Sequence, residues 1–366
     1  MNTEAYTQGS ELFEVFKQYG WQPTLVENVG RRVWRITLRE GVYALKKSRA
    51  SREKLHLLHK ILKEIRSQGH PHLLPWLPTR QGEPIVTGTS GTWYATPWKS
   101  CYGISEHGKQ PAVTELAQAL ARLHRLSEPL VQNYPDLCTR VDEEAVNKWK
   151  QRQEKLANIS DQIKSREFQS PFDKCFSGHK ESIEQSLAFF LRGMERFMEK
   201  EGGKSPRYTL CHRRLHPSNV ARDEERFYLI DFDHAQVDSP VRDLALLMRR
   251  YASFEGDPEK PLQILEAYEA EWPLQPKEKK LLALYLAYPE RLLKTVERYY
   301  EEPKITSMEA HAVKRLEEEI HHLAQLQEAV KTLWPGKKAR TEENRQPFPS
   351  VSGGRGKKKA EKKRKS

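Results

Sequence analysis

Three residues of "LCHRRLHPSNV" (Leu210 to Val220), His212, Arg214 and Asn219, stand just ahead of Asp231 in "YLIDFDHA" (Tyr228 to Ala235). Phosphoryl transfer needs a lysine on the nucleotide phosphates, oxygen ligands for a metal, and a group that accepts or orients the acceptor proton. Mg²⁺ is a hard cation and takes carboxylate and amide oxygens alongside phosphate. An "HxDxxxxN" loop, followed a dozen or so residues later by a strand ending in "DF", supplies those parts. The spacing from position 214 to Asn219 fits, and "FYLI" ahead of Asp231 is apolar enough for a buried strand. Position 214, where the pattern has its base, is arginine. A guanidinium does not give up its proton in a protein, so it cannot serve as a base. Losing a general base costs ~10²–10⁴-fold in rate. Arg214 instead offers positive charge to a phosphate, to an acidic partner residue, or to Asp231, where it would block a metal.

The elements around these loops fall into two groups. After a short helix over 11–19, "RVWRITL" (Arg32 to Leu38) alternates with Trp34, Ile36 and Leu38 on one face. "REG" turns the chain, and "VYALKK" (Val42 to Lys47) returns it. A helix is expected over about 51–68, stopped by Gly69, Pro71 and Pro75. "PIVTG" and "TWYATPW" read as a second hairpin around Thr89 to Gly91. Beyond Trp98 helices dominate: Val113, Leu116, Leu120 and Leu123 recur at helical spacing. Further helices are expected at about 141–165, 180–201, 240–253, 260–271, 277–300 and 307–333. The expected architecture is α+β and bilobal, with an N-terminal antiparallel sheet lobe (1–97), a larger, mostly helical C-terminal lobe (98–334) carrying loops 210–243, and a disordered tail (335–366).

With those elements in place, "LCHRRLHPSN…LIDFDHAQVDSPVRDLA" resembles the aminoglycoside phosphotransferase and choline kinase branch of the protein-kinase-like fold. There the loop usually reads His-Gly-Asp-Leu-His-Pro-x-Asn, then Ile-Asp-Phe, then Asp-Pro-x-x-Asp-Leu-Ala. Asp238, Pro240, Asp243 and Leu244 echo the last piece, with Ser239 inserted. "LARLHRL" and "VGRRVWRITLREGVYALKK" extend the likeness over roughly residues 25–300. Within that branch the degenerate loop and "AYPERLLKTVERYY" (Ala287 to Tyr300) resemble the CotS-type spore coat proteins of endospore-forming bacteria, the YsxE-like group especially.

The resemblance implies ATP and Mg²⁺ as ligands. It makes Lys46 the phosphate lysine, with Lys47 the fallback on the opposite sheet face, and puts Ala44 on the adenine side. Asn219 and Asp231 become the metal ligands, Asp233 a possible assistant, and His212 and Asp243 anchors of the loop. His216 recurs beside the family's aspartate, so it is no evident replacement base. Only Gly30 remains of a glycine-rich loop. The first large helix buries Leu55, Leu58, Leu62 and Ile65, which puts Glu53 and Glu64 about 160° and 180° from Leu55, too far round to hold Lys46; His59 and Arg66 are nearer. The expectation is a pseudokinase scaffold in coat assembly; the alternative is an active phosphotransferase on a small molecule or coat protein. Other coat proteins are the implied partners, with synthesis in the mother-cell cytoplasm and residence in the spore coat.

Composition narrows the classes. The chain has 366 residues, 37% hydrophobic, with eight tryptophans that argue against wholesale disorder. No apolar run is long enough to span a membrane, and the start carries acids early rather than a signal pattern. The net charge of +12 is local: residues 335–366 hold 12 of the 62 Lys/Arg and three of the 50 acids, leaving 50 against 47 in residues 1–334. Such a tail repels itself and can bind polyanions, but the body shows no basic face, so nucleic acid is not the expected partner. Cys101, Cys138, Cys175 and Cys211 form no CxxC pair and read as reduced thiols. His321 and His322 beside Glu317 to Glu319 read as a solvated helical face. Val313, Leu316, Ile320, Leu323, Val330 and Trp334, with polar Gln327 among them, read as a seam packed on its own domain, or less readily as a homodimer arm over 307–334.

Overall fold

The computed structural model describes residues 3–101, 112–251, 260–301 and 309–333. The basic tail lies outside the described residues.

Five strands build an antiparallel sheet in the spatial order β1 (Leu25–Gly30), β2 (Val33–Leu38), β3 (Gly41–Ser48), β5 (Thr92–Pro97), β4 (Val86–Thr87). The β2 alternation does what its pattern dictates. Trp34, Ile36 and Leu38 join Leu45, Trp93 and Ala95 beneath Val15 and Tyr19 of α1 (Thr3–Tyr19). Strand β1 escaped the sequence reading because nearly all of it is exposed, so no buried alternation marks it. In β3, Lys46 pairs across to Val33 and Tyr94, and Ala44 to Arg35 and Thr96. Lys47 points to the α1 side, 3.1 Å from Glu11 Oε2 and over the Trp93 ring. The period of two therefore separates the adjacent lysines cleanly.

Helix α2 (Arg52–Ser67) starts where Ser51 Oγ accepts the Lys54 N–H at 3.2 Å. It buries Leu55, Leu58, Ile61, Leu62 and Ile65, and ends before Gly69, whose φ of 89° suits glycine alone. Its buried face belongs to the same core as the helical part: α3 (Val113–Val131), α4 (Glu143–Lys164), α5 (Pro171–Glu201), α6 (Pro240–Tyr251), α7 (Lys260–Glu271), α8 (Pro276–Ala287), α9 (Glu290–Glu301) and α10 (Glu309–Leu333). Two strand groups thread between: β6 (Ser100–Cys101) with β8 (Val220–Arg222) and β9 (Phe227–Leu229), and β7 (Thr209–Cys211) with β10 (Gln236–Asp238).

The structure departs from the sequence reading at several points. The helix expected over 277–300 is two helices, because Pro289 has no N–H to donate and biases Tyr288 (ψ 113°) away from the helical region. Helix α5 begins nine residues before the expected start, at a capping box in which Ser170 and Asp173 bond each other's backbone N–H at 3.1 and 3.0 Å. The α10 seam packs on α5 and α8 of its own chain, and Gln327 reaches Ser186 Oγ at 3.0 Å. Glu319 and His322 are not solvated: both are buried, Glu319 against Arg291 at 2.8 Å. The free cysteines are Cys138, Cys175 and Cys211; the side chain of Cys101 lies outside the described residues.

Candidate functional site

Strand β7 delivers the chain to His212, and the loop that follows is held by its backbone. His212 is fully buried and bridges two segments: one ring nitrogen reaches Ile230 O at 2.9 Å and the other accepts the Arg214 N–H at 3.3 Å. Burial keeps its pKa below the ordinary histidine value, which matches this one-donor, one-acceptor arrangement. Asp243, in the first turn of α6, is also fully buried. It accepts the backbone N–H groups of His212 and Arg213, the latter at 2.8 Å, and lies 3.5 Å from His124 Nε2. Burial pushes its carboxyl up, but His124 and the backbone donors outweigh that and hold it below the usual carboxylate value.

Among the described residues two non-glycine residues adopt positive φ, and both are in this constellation: Arg213 at 66° and Asp231 at 65°. Each costs of order 1–3 kcal/mol and persists only where its surroundings impose it. Arg213 occupies the place of the glycine in the loop pattern. Its guanidinium pairs with Asp238, and its N–H with Asp243, which together fix the strained turn.

Asp231 is met by Lys46, whose ammonium also lies 3.3 Å from Asp233. Burial raises the Asp231 carboxyl, and the Lys46 charge more than reverses this. Asn219 is buried, with Nδ2 donating to Arg214 O at 2.9 Å. That bond leaves Oδ1 as the free end of the amide. Asn219 and Asp231 line one cleft of about 360 Å³, together with Lys46, Ala44 and Gly30. Its walls are otherwise mostly apolar, among them Val33, Leu73, Trp76, Tyr94 and Leu229. The cleft is a mostly apolar slot that carries the Lys46 ammonium beside two hard oxygen donors, with Lys99 also in its lining, a donor set suited to an anionic ligand with an apolar body and to a hard cation.

The structure thus brings Lys46, Ala44, Gly30, Asn219 and Asp231 to one cavity, with His212 and Asp243 behind it. Arg214 is not on Asp231; it is exposed, with Nη1 2.9 Å from His234 Nε2. His216 caps the turn 217–219, accepting the Ser218 N–H at 3.1 Å. Glu53 and Glu64 are exposed and away from Lys46. Asp233 fills the gap they leave, more than the sequence reading gave it. Its carboxylate accepts Ser48 Oγ at 2.8 Å and Tyr94 OH at 3.0 Å, and its carbonyl accepts Lys54 Nζ at 2.9 Å. Asp233 thus adds three bonds between the small lobe and the large one, beside the Lys46–Asp231 pair and the shared core of α2. Asp233→Ala is expected to destabilise by about 2–4 kcal/mol in thermal or urea unfolding, against less than about 0.5 kcal/mol for Glu64→Ala. Equal effects of the two would remove Asp233 from this role.

A family model described as "Spore coat putative kinase YutH" matches residues 13–333. Among solved structures, an aminoglycoside phosphotransferase from Alicyclobacillus acidocaldarius superposes with a TM-score of 0.69 at 19% identity, covering 86% of this chain and 95% of that one. A spectinomycin phosphotransferase in complex with ADP and spectinomycin gives 0.57 at 17%, covering 87% and 98%. An amicoumacin kinase in complex with AMP-PNP and Ca²⁺ gives 0.53 at 14%, covering 87% and 96%. Among curated proteins, none matches the chain. The fold is the bilobal kinase-like one, with a small N-terminal antiparallel sheet and a larger helical part. The match falls among the CotS-like spore coat proteins, as the sequence suggested, and the model that matches is the one named for YutH.

Proposed function

Because the chain belongs to the YutH spore-coat family, we propose that it serves in the coat as a pseudokinase, a kinase-like scaffold that holds nucleotide and does not transfer phosphate. One observation carries this reading: Arg214 holds the base position, exposed and hydrogen-bonded to His234. A guanidinium takes no proton from an acceptor hydroxyl, and its charge does not favour a cationic acceptor of the aminoglycoside kind.

ATP with Mg²⁺ is the ligand pair this reading assigns to the cleft, the metal neutralising phosphate charge when bound. Lys46 meets the phosphates, Asn219 Oδ1 and the Asp231 carboxylate hold the metal, and Ala44 borders the base. Asp233 keeps Lys46 in place, and His212 and Asp243 fix the loop backbone. Other coat proteins are the partners, met through the basic tail and the charged helix faces, after synthesis in the mother-cell cytoplasm. Lobes 1–97 and 98–334 with the appended tail 335–366 are the working units; pairing of two copies through 307–334 would have to use the faces of that helix turned away from α5 and α8, since its apolar seam is occupied within the chain.

A second reading, an active phosphotransferase on a small molecule or coat protein, is favoured by the convergence of Lys46, Asn219 and Asp231. Phosphoryl transfer depends mainly on positioning and electrostatics, so a missing base need not end it. Phosphate release from Mg²⁺-ATP separates the two. The scaffold reading expects wild type and Asp231→Asn to release phosphate equally slowly. A wild-type rate about tenfold or more above Asp231→Asn would establish the enzyme instead, since the metal-dependent step would then be running.

A further inference from the structure

A second cavity, of about 730 Å³, opens beside Arg213 among α4, α5, α6, α8 and α9. It shares no lining residue with the nucleotide cleft. Six of its walls are cationic: Lys148, Arg152, Lys155, Arg213, Arg242 and Arg249. Only Glu290 and Glu297 line it with the opposite sign.

The rim cations have their own partners. Arg152 meets Glu297 at 3.1 Å and Tyr288 OH at 2.8 Å, Lys155 meets Glu301, and Lys148 meets Glu144 at 2.5 Å. The inner cations do not. Arg213 and Arg242 share the single carboxylate of Asp238, which is 3.3 Å from Arg242. Glu290 is bonded by Lys294 at 2.7 Å and lies 3.7 Å from Arg249, beyond hydrogen-bond reach. Arg249 Nε and Nη2 are sealed from solvent and have no hydrogen-bond partner among the described residues. Burial weighs against its charged form. A desolvated guanidinium whose nearest carboxylate stands at 3.7 Å and is already bonded by Lys294 adds little to a fold, and an apolar side chain of similar volume would serve the packing as well. A rotation of the side chain towards the cavity would present these donors as a planar fork suited to phosphate or carboxylate. Trp149, Tyr285 and Tyr288 add aromatic wall to the same cavity.

We propose that this cavity binds a small molecule bearing a phosphate or carboxylate group, gripped by Arg249 with Arg242 and Arg213 and lying against Trp149, Tyr285 and Tyr288. That it lies on the acceptor side of the nucleotide cleft rests on the kinase-like reading above; the binding does not. The volume suits a small ligand. The ligand class differs from cationic aminoglycosides and fits the arginine at position 214.

The test is thermal unfolding of the full chain without nucleotide, at constant ionic strength, with phenyl phosphate or benzoate set against chloride. At about ten times its Kd the recognised anion raises the midpoint by about 2 °C. A rise with phenyl phosphate assigns a phosphate ligand, and one with benzoate alone a carboxylate. Arg249→Met is expected to start from a midpoint no lower than wild type and to show no rise. Arg249→Lys, which keeps the charge and loses the fork, is expected to keep at most half of it. No rise with either anion, or a full rise in either variant, overturns the proposal. If wild type responds to Mg²⁺-ATP and to neither anion, this inference fails and the nucleotide reading stands. The reverse leaves the anion site and removes the nucleotide reading.

Discussion

Asp243→Ala is expected to destabilise the protein by about 3–5 kcal/mol, the cost of leaving buried charges and donors unmatched. For a chain of this size that is a fall of roughly 4–7 °C in the unfolding midpoint. The carboxylate satisfies the N–H groups of His212 and Arg213 and faces His124 Nε2, all where water does not reach. Removing it frees the strained Arg213 turn and with it the whole loop to Asn219. The effect carries a pH signature. The folded pKa of Asp243 is depressed, so its stabilisation is complete above the unfolded aspartate value near ~4 and is lost as pH falls through the lower folded value. The gap between wild type and Asp243→Asn in urea unfolding should therefore be constant from pH 5 to 7 and narrow below about pH 4. A gap of less than about 1 kcal/mol at pH 7 would mean that the loop is held by something else.

Arg214→Asp is expected to raise Mg²⁺-dependent phosphate release from ATP by about 10²-fold or more, the usual worth of a positioned base. The loop backbone does not depend on the arginine side chain. The Arg214 N–H donates to His212 Nδ1, and its carbonyl accepts Asn219 Nδ2. Both bonds survive the substitution, so the new carboxylate would hang from a frame already in place. Arg214→Ala removes the positive charge without supplying a base and should gain much less. If Arg214→Asp gains nothing over Arg214→Ala, the chemistry is lost at more than this position, and the thin cover around Gly30 becomes the next suspect.

What the sequence revealed and what it hid follow one physical division. Local spacing encoded the loop: His212, position 214, Asn219 and Asp231 lie within twenty residues, and their backbone partners are nearby. The alternation of β2 and β3 likewise separated Lys46 from Lys47 without any structure. Asp233 was undervalued because its partners Ser48, Lys54 and Tyr94 lie between 139 and 185 residues away in the chain. Strands β7, β8, β9 and β10 are three residues each, too short for a period to register. Glu319 and His322 read as solvated because helix polarity alone does not reveal what crosses it; Arg291 of α9, itself exposed, supplies the partner of the buried Glu319. Pro289 and the Ser170–Asp173 box were legible signals of a helix break and a helix start, overridden by the apolar runs around them. The inner arginines of the second cavity come from β7's loop and α6, and only folding shows that they outnumber their carboxylates.

The central claim is that the chain keeps a metal-dependent nucleotide cleft while Arg214 withholds the chemical step. Thermal unfolding with ATP, with and without Mg²⁺, on wild type and Asp231→Asn tests it most directly. At about 100 times its Kd the nucleotide adds ~2.7 kcal/mol, a rise of roughly 3–5 °C. The account predicts that rise in wild type only with Mg²⁺, and its loss in Asp231→Asn. No shift in wild type up to about 5 mM ATP, where even a Kd of about 1 mM would register, or the same shift in Asp231→Asn, would contradict it.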